Sequence, residues 1–141
     1  MIVLDVNVLV AAFRQDHERH TQALRWLERV LSEGQEVMIP DAVWIGFVRI
    51  ATNRAVFDVP ATTTEAFEFV SSVSGATGYR VMPSLTEGLA LFARECLEAE
   101  ASGNLVPDAY IASVARAYAC PVATFDRDFR RFDELEIIVP T

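Results

Sequence analysis

Short apolar runs alternate along the chain with longer segments in which apolar residues recur every three or four positions. The short runs are typical of buried parallel strands, and the longer segments are typical of helices with one buried face. Strands separated by helices predict an α/β fold with right-handed crossovers, a mostly parallel central sheet and helices on both of its faces. The predicted strands lie at residues 2–4, 37–39, 79–82, 121–125 and 137–139.

Several of the predicted helices carry start signals. Thr62 followed by Glu65, and Ser84 followed by Glu87, have the spacing of a capping box, in which side chains satisfy free backbone amides at a helix start. A further helix is expected to open at residues 107–108, where proline precedes aspartate. The helix after Ser84 is expected to bury a stripe made of Leu85, Leu89, Phe92, Ala93 and Cys96.

Length and charge narrow the functional classes. The chain has 141 residues, which predicts a single domain spanning residues 1–141. Its 12 basic and 20 acidic residues give a net charge of −8, which argues against a protein that coats nucleic acid with a broad basic surface. Every basic residue is arginine, and the lack of lysine excludes Schiff-base chemistry and a P-loop. Any nucleic-acid role must therefore be local to one site.

Cysteine content and hydropathy indicate the compartment. Cys96 and Cys120 are too few for a disulfide framework and lack metal-type spacing. No apolar stretch approaches the ~20 residues of a membrane span, and the first residues lack the features of a secretory signal. We therefore expect a cytoplasmic protein that does not associate with membranes. Its 52% hydrophobic content is high for a monomer and indicates a protein partner.

Aspartates follow the predicted strands at the edge where open α/β sheets bind ligands. Asp5 ends the first strand, Asp126 ends the fourth, and Asp128 comes two residues later. Asp108 opens a helix and, taken alone, fits an N-cap. An acid at the end of a buried strand has no cap to make and must give up part of its hydration. The aspartates together therefore indicate a functional site.

Carboxylates that converge at this edge need a counter-charge. Two of them ~4 Å apart repel by ~4 kcal/mol at an effective dielectric of about 20, so three would cost a large part of a domain's ~5–15 kcal/mol stability. Ligation by aspartate oxygens alone selects Mg²⁺ or Mn²⁺ over Zn²⁺. Such a cation suits phosphodiester hydrolysis, because it activates water and stabilises the charge of the transition state.

Three segments at residues 4–9 (LDVNVL), 105–112 (LVPDAYIA) and 123–129 (ATFDRDF) span almost the whole chain. In this order they resemble the PIN-domain ribonucleases, and more narrowly the VapC-type toxins of bacterial toxin–antitoxin pairs. The resemblance implies a PIN-like three-layer α/β/α fold and an Mg²⁺-dependent endoribonuclease. It also implies that Asp5, Asp108 and Asp126 are catalytic and hold the metal, for which Mn²⁺ can substitute.

The resemblance extends to supporting residues and to partners. It implies that Asn7 and Thr124 support the site and that Asp128 assists it. It further implies an RNA substrate, a homodimer, and inhibition by a cognate VapB-type antitoxin whose C-terminal segment lies across the active site.

The helix after the second strand departs from the family pattern. Many PIN domains carry a glutamate there, whereas Gly46 stands near that position in this chain. Asp41 is the nearest acid, but it fits a helix N-cap better than a substitute ligand. Three acids without the glutamate predict one firmly bound metal ion and a second that binds only with substrate.

Several arginines lie near the predicted strand ends. Arg127, Arg130 and Arg131 accompany the aspartates after the fourth strand, and they either contact RNA phosphates or antitoxin, or balance the neighbouring acids. The pattern leaves both interpretations open. Arg14 and Arg49, near the ends of the first and second strands, raise the same question.

Other classes of protein fit less well. His17 and His20 are three residues apart but have no evident third ligand, so they are expected to be solvated residues at a helix start. A phosphorelay receiver domain needs a strand-end lysine, and a haloacid-dehalogenase-type phosphatase has its paired aspartates after the first strand rather than the last. The remaining alternative is a non-catalytic PIN-like module that binds RNA or protein and has lost turnover with the absent glutamate.

Overall fold

A fully parallel, five-stranded sheet forms the middle layer of the computed structural model, which describes all 141 residues. Its strands are β1 (Ile2–Leu4), β2 (Val37–Met38), β3 (Tyr79–Arg80), β4 (Val122–Ala123) and β5 (Ile137–Ile138). Their order across the sheet is β3-β2-β1-β4-β5, and every neighbouring pair is parallel. The predicted parallel α/β sheet is confirmed, and the residues that follow β1 and β4 come to lie side by side.

Six helices cover the two faces of this sheet. They are α1 (Val6–Phe13), α2 (His20–Ser32), α3 (Asp41–Ala51), α4 (Thr63–Ser74), α5 (Gly88–Glu98) and α6 (Leu105–Ala117), with a short 3-10 turn (Arg127–Arg131) after β4. Helices α1 to α4 pack on one another, whereas α5 packs on α6, which in turn contacts β1 and β4. This is the expected three-layer α/β/α arrangement. None of these helices is long and apolar enough to cross a membrane.

The centre of the sheet is buried on both sides. Val3, Val37 and Val122 are completely inaccessible to solvent, which explains why their strands appear in the sequence as unbroken apolar runs rather than as alternating patterns. They belong to a core of 32 buried apolar residues that includes Trp26 and Trp44.

One of the two predicted capping boxes is present in part, as a side-chain N-cap. At the start of α4, Thr62 Oγ1 accepts a hydrogen bond from the backbone N of Glu65 at 3.1 Å and donates to its carboxylate at 3.0 Å. The predicted box at Ser84 is wrong, because α5 begins at Gly88 without a side-chain cap. The backbone N of Gly88 bonds to the carbonyl oxygen of Leu85 at 3.3 Å, in a turn that precedes the helix.

The predicted buried stripe of α5 is wrong in part. Leu89 is 81% exposed and Ala93 is also exposed, whereas Glu95 is buried. The reason is that Glu95 forms an ion pair with Arg116 of α6, so α5 packs on α6 through the face that carries this carboxylate. Apolar periodicity carries no information about a helix contact centred on charged side chains.

Two aspartates that were expected at helix N-caps lie inside the first helical turn. Helix α6 begins at Leu105, which makes Asp108 its fourth residue. Pro40 occupies the N-cap of α3, and Asp41 is its first helical residue, with no side-chain capping bond. Pro107 is therefore the third residue of α6 rather than its start, and it is tolerated there because proline lacks only an N–H that has no helical partner in the first turn.

Candidate functional site

Asp5 lies between β1 and α1, and two side chains hold its carboxylate. The residue is only 5% exposed. Its Oδ2 accepts hydrogen bonds from Asn7 Nδ2 at 2.6 Å and from Thr124 Oγ1 at 2.7 Å. Asp5 is also the N-cap residue of α1, yet its side chain makes no capping bond. The carboxylate thus lies between Asn7 of α1 and Thr124 at the end of β4.

Asn7 and Thr124 also fasten the chain that follows β4. Asn7 Oδ1 accepts a hydrogen bond from the backbone N of Phe125 at 3.1 Å. Thr124 Oγ1 accepts one from the backbone N of Asp126 at 2.9 Å and another from Asn7 Nδ2 at 3.0 Å. These bonds link the ends of β1 and β4 and bring Asp126 to the edge where Asp5 lies.

Burial and mutual repulsion raise the pKa of the two inner carboxyl groups. Burial, assisted by the charge of Asp126, raises the pKa of Asp5 to about 6 despite the hydrogen bond from Thr124. Asp108, half-buried on α6, has its pKa raised to about 7 by burial first and then by Asp5, Asp126 and Asp128. The four aspartates that were picked out in the sequence therefore act on one another across one edge of the sheet.

The donor set fits a hard divalent cation. The four aspartates offer oxygen ligands, and their repulsion would be offset by a positive ion. As the side chains stand, no group of three or more histidine, cysteine, aspartate or glutamate side chains is close enough to hold a metal ion. Binding would therefore require at least one carboxylate to rotate. Asp126 is exposed and free to do so, although its Oδ1 accepts a hydrogen bond from the backbone N of Asp128 at 2.8 Å.

A cleft of about 460 Å³ opens beside Asp5 and Asp108. Residues of α3, α5 and α6 line it, most of them apolar, including Ile45, Phe92 and Tyr110. The rings of Phe92 and Tyr110 pack edge to face with their centroids 5.9 Å apart. The acids therefore lie at one side of an apolar depression.

Gly46 lies in the wall of this cleft, together with Asp5 and Asp108. The position where a glutamate was expected therefore faces the acids but provides no ligand. A Cβ at Gly46 would lie 3.0 Å from Val6 Cγ2, closer than ordinary contact. Asp41 is exposed and is not among the residues that line the cleft.

The arginines after β4 form no ion pairs with the neighbouring acids. Arg127, Arg130 and Arg131 are exposed, and none of them forms an ion pair. They do not balance these acids through ion pairs, and contact with RNA or antitoxin stays a prediction. Arg14 has a structural role instead, because its Nε donates to the carboxylate of Asp16 at 2.8 Å.

The sequence pattern did not reveal that Arg19 lies at this edge. Its guanidinium group lies 4.8 Å from the centre of the ring of Phe125, the residue that precedes Asp126 in the chain. The two histidines were expected to be solvated, but both are only partly exposed and contact the backbone. His17 Nδ1 accepts a hydrogen bond from the backbone N of Arg19 at 3.1 Å, and His20 Nδ1 lies 3.1 Å from the carbonyl oxygen of Ala11.

The raised pKa values predict how stability depends on pH in the absence of metal. Because the folded protein holds protons on Asp5 and Asp108 that the unfolded chain releases above its ordinary pKa of 3.8, the free energy of unfolding should fall as pH rises to about 7. Asp108→Asn removes one of these groups. The stability of this variant relative to wild type should therefore increase between about pH 5 and about pH 8 in chemical unfolding. A difference that stays constant over this range would contradict the assignment.

Comparison with known proteins agrees with the fold and with the order of the motifs. The model of the PIN domain matches residues 2–135. Ribonuclease VapC31 of Mycobacterium tuberculosis is 40% identical over 140 residues, which cover 99% of each chain. Among solved structures, VapC20 of Mycobacterium tuberculosis, described as a sarcin–ricin loop cleaving toxin, superposes with a TM-score of 0.71 at 19% identity and covers 96% of this chain and 99% of that one.

A second solved structure, VapBC2 of Rickettsia felis bound to a DNA fragment from its promoter, matches with a TM-score of 0.71 at 17% identity over 98% of each chain. At such identities the structures bear on the fold alone. The family follows from the domain match and from the full-length similarity to VapC31. The chain belongs to the PIN domain family and, within it, to the VapC ribonucleases.

Proposed function

We propose that this protein is an Mg²⁺-dependent endoribonuclease toxin of a VapBC-type toxin–antitoxin pair. The observation that carries the proposal is the placement of Asp5 and Asp108 in one cleft, with carboxyl pKa values raised to about 6 and about 7 by burial and by neighbouring carboxylates. Such clusters are costly unless a cation offsets them, and strongly perturbed carboxyl groups in a cleft are typical of functional sites.

Each residue has a distinct task in this proposal. Asp5, Asp108 and Asp126 would hold Mg²⁺, which supplies the positive charge that activates water and stabilises the transition state of phosphodiester hydrolysis. Asn7 and Thr124 keep the Asp5 carboxylate in one orientation through their bonds to Oδ2. The fourth aspartate of the site, Asp128, is exposed and adds negative charge that raises the pKa of Asp108.

The proposal extends to partners and to the whole chain. We infer an RNA substrate from the ribonuclease names of relatives such as VapC31. A cognate VapB-type antitoxin is supported by the fold shared with the toxin of the VapBC2 complex. A homodimer, cytoplasmic action and a single domain over residues 1–141 complete the proposal. The single domain is supported by the continuous core of 32 residues.

The metal requirement gives the direct test of this function. The purified protein, incubated with total RNA, should cleave it in the presence of Mg²⁺ or Mn²⁺. Cleavage should stop when EDTA removes the ion, because the carboxylates then hold no cation to activate water. The measurement is the appearance of new RNA ends by gel or sequencing. Cleavage that persists in EDTA would refute the proposed mechanism.

The alternative is a PIN-like module that binds RNA or protein without cleaving it. Gly46 favours this alternative, because it faces the cleft where a glutamate ligand was expected. Absence of new RNA ends under every metal condition, combined with retained RNA binding, would support this second function.

A further inference from the structure

Arg49 faces the cleft of Asp5 and Asp108 without an acidic partner. It is the only basic residue among those that line the cleft, and it is exposed. Arg14 and Arg116, by contrast, form ion pairs with nearby carboxylates, whereas Arg49 forms none. An unpaired guanidinium group beside a cluster of acids is therefore available to an incoming anion.

Arg49 is not placed to neutralise the acids themselves. Arg49 forms no ion pair with Asp5 or Asp108, although all three residues line the same cleft. The guanidinium group shares the cleft yet leaves the repulsion between the carboxylates in place. Its charge can bind a group on the ligand without cancelling the negative charge that a metal ion requires.

Part of the wall of the cleft that Arg49 lines suits a nucleobase. Phe92 and Tyr110 are both half-buried, and each presents part of its ring to a cleft of about 460 Å³. This volume lies within the range of clefts that enclose small organic ligands. Proteins bind unpaired RNA bases against aromatic rings, and arginine forks bind phosphate. An aromatic wall, one free arginine and a carboxylate cluster therefore match the parts of one RNA strand.

We propose that Arg49 binds a phosphate group of single-stranded RNA next to the phosphate that is cleaved, while the adjoining base lies in the cleft against Phe92 and Tyr110. This inference rests on the proposed ribonuclease function and names a substrate contact within the same site. RNA, a polyanion, is favoured over an apolar protein segment as the ligand of this cleft. The reason is that the protein has a net charge of −8 and yet places the unpaired cation Arg49 in the cleft.

Binding of a labelled RNA to a cleavage-deficient parent tests the proposal. Asp126→Asn is a suitable parent, because its amide oxygen can still accept the hydrogen bond from the backbone N of Asp128. The probe is a fluorescent single-stranded RNA of about twelve nucleotides and mixed sequence, titrated in Mg²⁺ at several salt concentrations. Adding Arg49→Ala should weaken binding about tenfold and lower the salt slope by about one. Arg94→Ala, an exposed α5 arginine paired only with Glu98, is the matched control and should change neither quantity.

Each outcome separates this inference from the proposed function. If Arg49→Ala has the same affinity and salt slope as the Arg94→Ala control, Arg49 does not bind RNA, and a protein segment becomes the expected occupant of the cleft. Equal binding of the same RNA as a duplex would overturn the base contact, because paired bases cannot enter the cleft. Should wild type fail to cleave RNA while Arg49→Ala still weakens binding, the catalytic function would fail and the RNA contact would stand. Unchanged melting temperatures would show that the variants are folded.

Discussion

Replacing Asp108 by asparagine should lower RNA cleavage by at least about 100-fold and, at the same time, raise the melting temperature of the metal-free protein. Loss of a carboxylate ligand weakens the binding of a metal ion that stabilises the transition state by several kcal/mol. Each ~1.4 kcal/mol of lost stabilisation lowers the rate tenfold. The gain in stability follows from the raised pKa of Asp108, because burying a neutral amide costs less than burying a carboxylate and the amide is not repelled by Asp5 and Asp126. Lost activity with increased stability distinguishes a functional carboxylate from a structural one.

Initial cleavage rates in Mg²⁺ and thermal melts in EDTA measure the two effects of this substitution. Asp58→Asn is the matched control, since Asp58 is exposed and does not line the cleft. It should leave both the rate and the melting temperature near those of wild type. Wild-type cleavage by Asp108→Asn would remove this residue from the mechanism. A lower melting temperature would show that the carboxylate supports the fold.

Replacing Glu95 by alanine should lower the free energy of unfolding by about 3 kcal/mol. The Glu95 side chain is 5% exposed and forms an ion pair with Nε of Arg116, whose guanidinium group also donates to the carbonyl oxygen of Asp133. That Nε atom is enclosed and has no well-aligned hydrogen bond, so the carboxylate is its only polar partner. We expect the lower end of the range for broken buried pairs, because the Arg116 side chain is 31% exposed and can be partly hydrated.

Glu98→Ala provides a control on the same helix. Glu98 and Arg94 form an i,i+4 pair with both side chains more than 60% exposed, so the loss should be below about 0.5 kcal/mol. Chemical unfolding of both variants under the same conditions measures the difference. Equal losses for the two substitutions would show that the buried pair contributes no more than a surface pair. RNA cleavage at a temperature well below unfolding should be unaffected, because Glu95 does not line the cleft.

The strands and the acids that follow them could be predicted because each leaves a local pattern. A strand buried on both faces needs consecutive apolar residues, and a polar residue directly after it marks the sheet edge. Asp5 directly follows β1, Thr124 directly follows β4 with Asp126 two residues later, and the strand order then places these residues at one edge. The same argument explains why Thr62 and Glu65 were correctly paired, since a capping box involves residues only three apart.

Contacts between distant elements could not be predicted in this way. The buried pair of Glu95 and Arg116 resembles two surface charges in the sequence, and the exposed Leu89 resembles a core residue. Ser84 has the spacing of a cap, but a local turn ends before α5 starts. The errors at Glu95 and Leu89 arose because the orientation of α5 depends on the face that α6 offers, whereas the error at Ser84 arose because the same spacing can occur before a turn.

The sequence by itself determined the alternation of strands and helices, the parallel sheet, and the aspartates available for a site, because these depend on residue types and on short-range periodicity. Only the tertiary structure decided how those residues act together. Burial and repulsion by neighbouring charges raise the pKa of Asp5 and Asp108, and the fold brings Arg49 of α3 into the cleft that these two residues line with residues of α5 and α6. Both effects depend on distances between residues far apart in the chain, and such distances exist only once the core has formed.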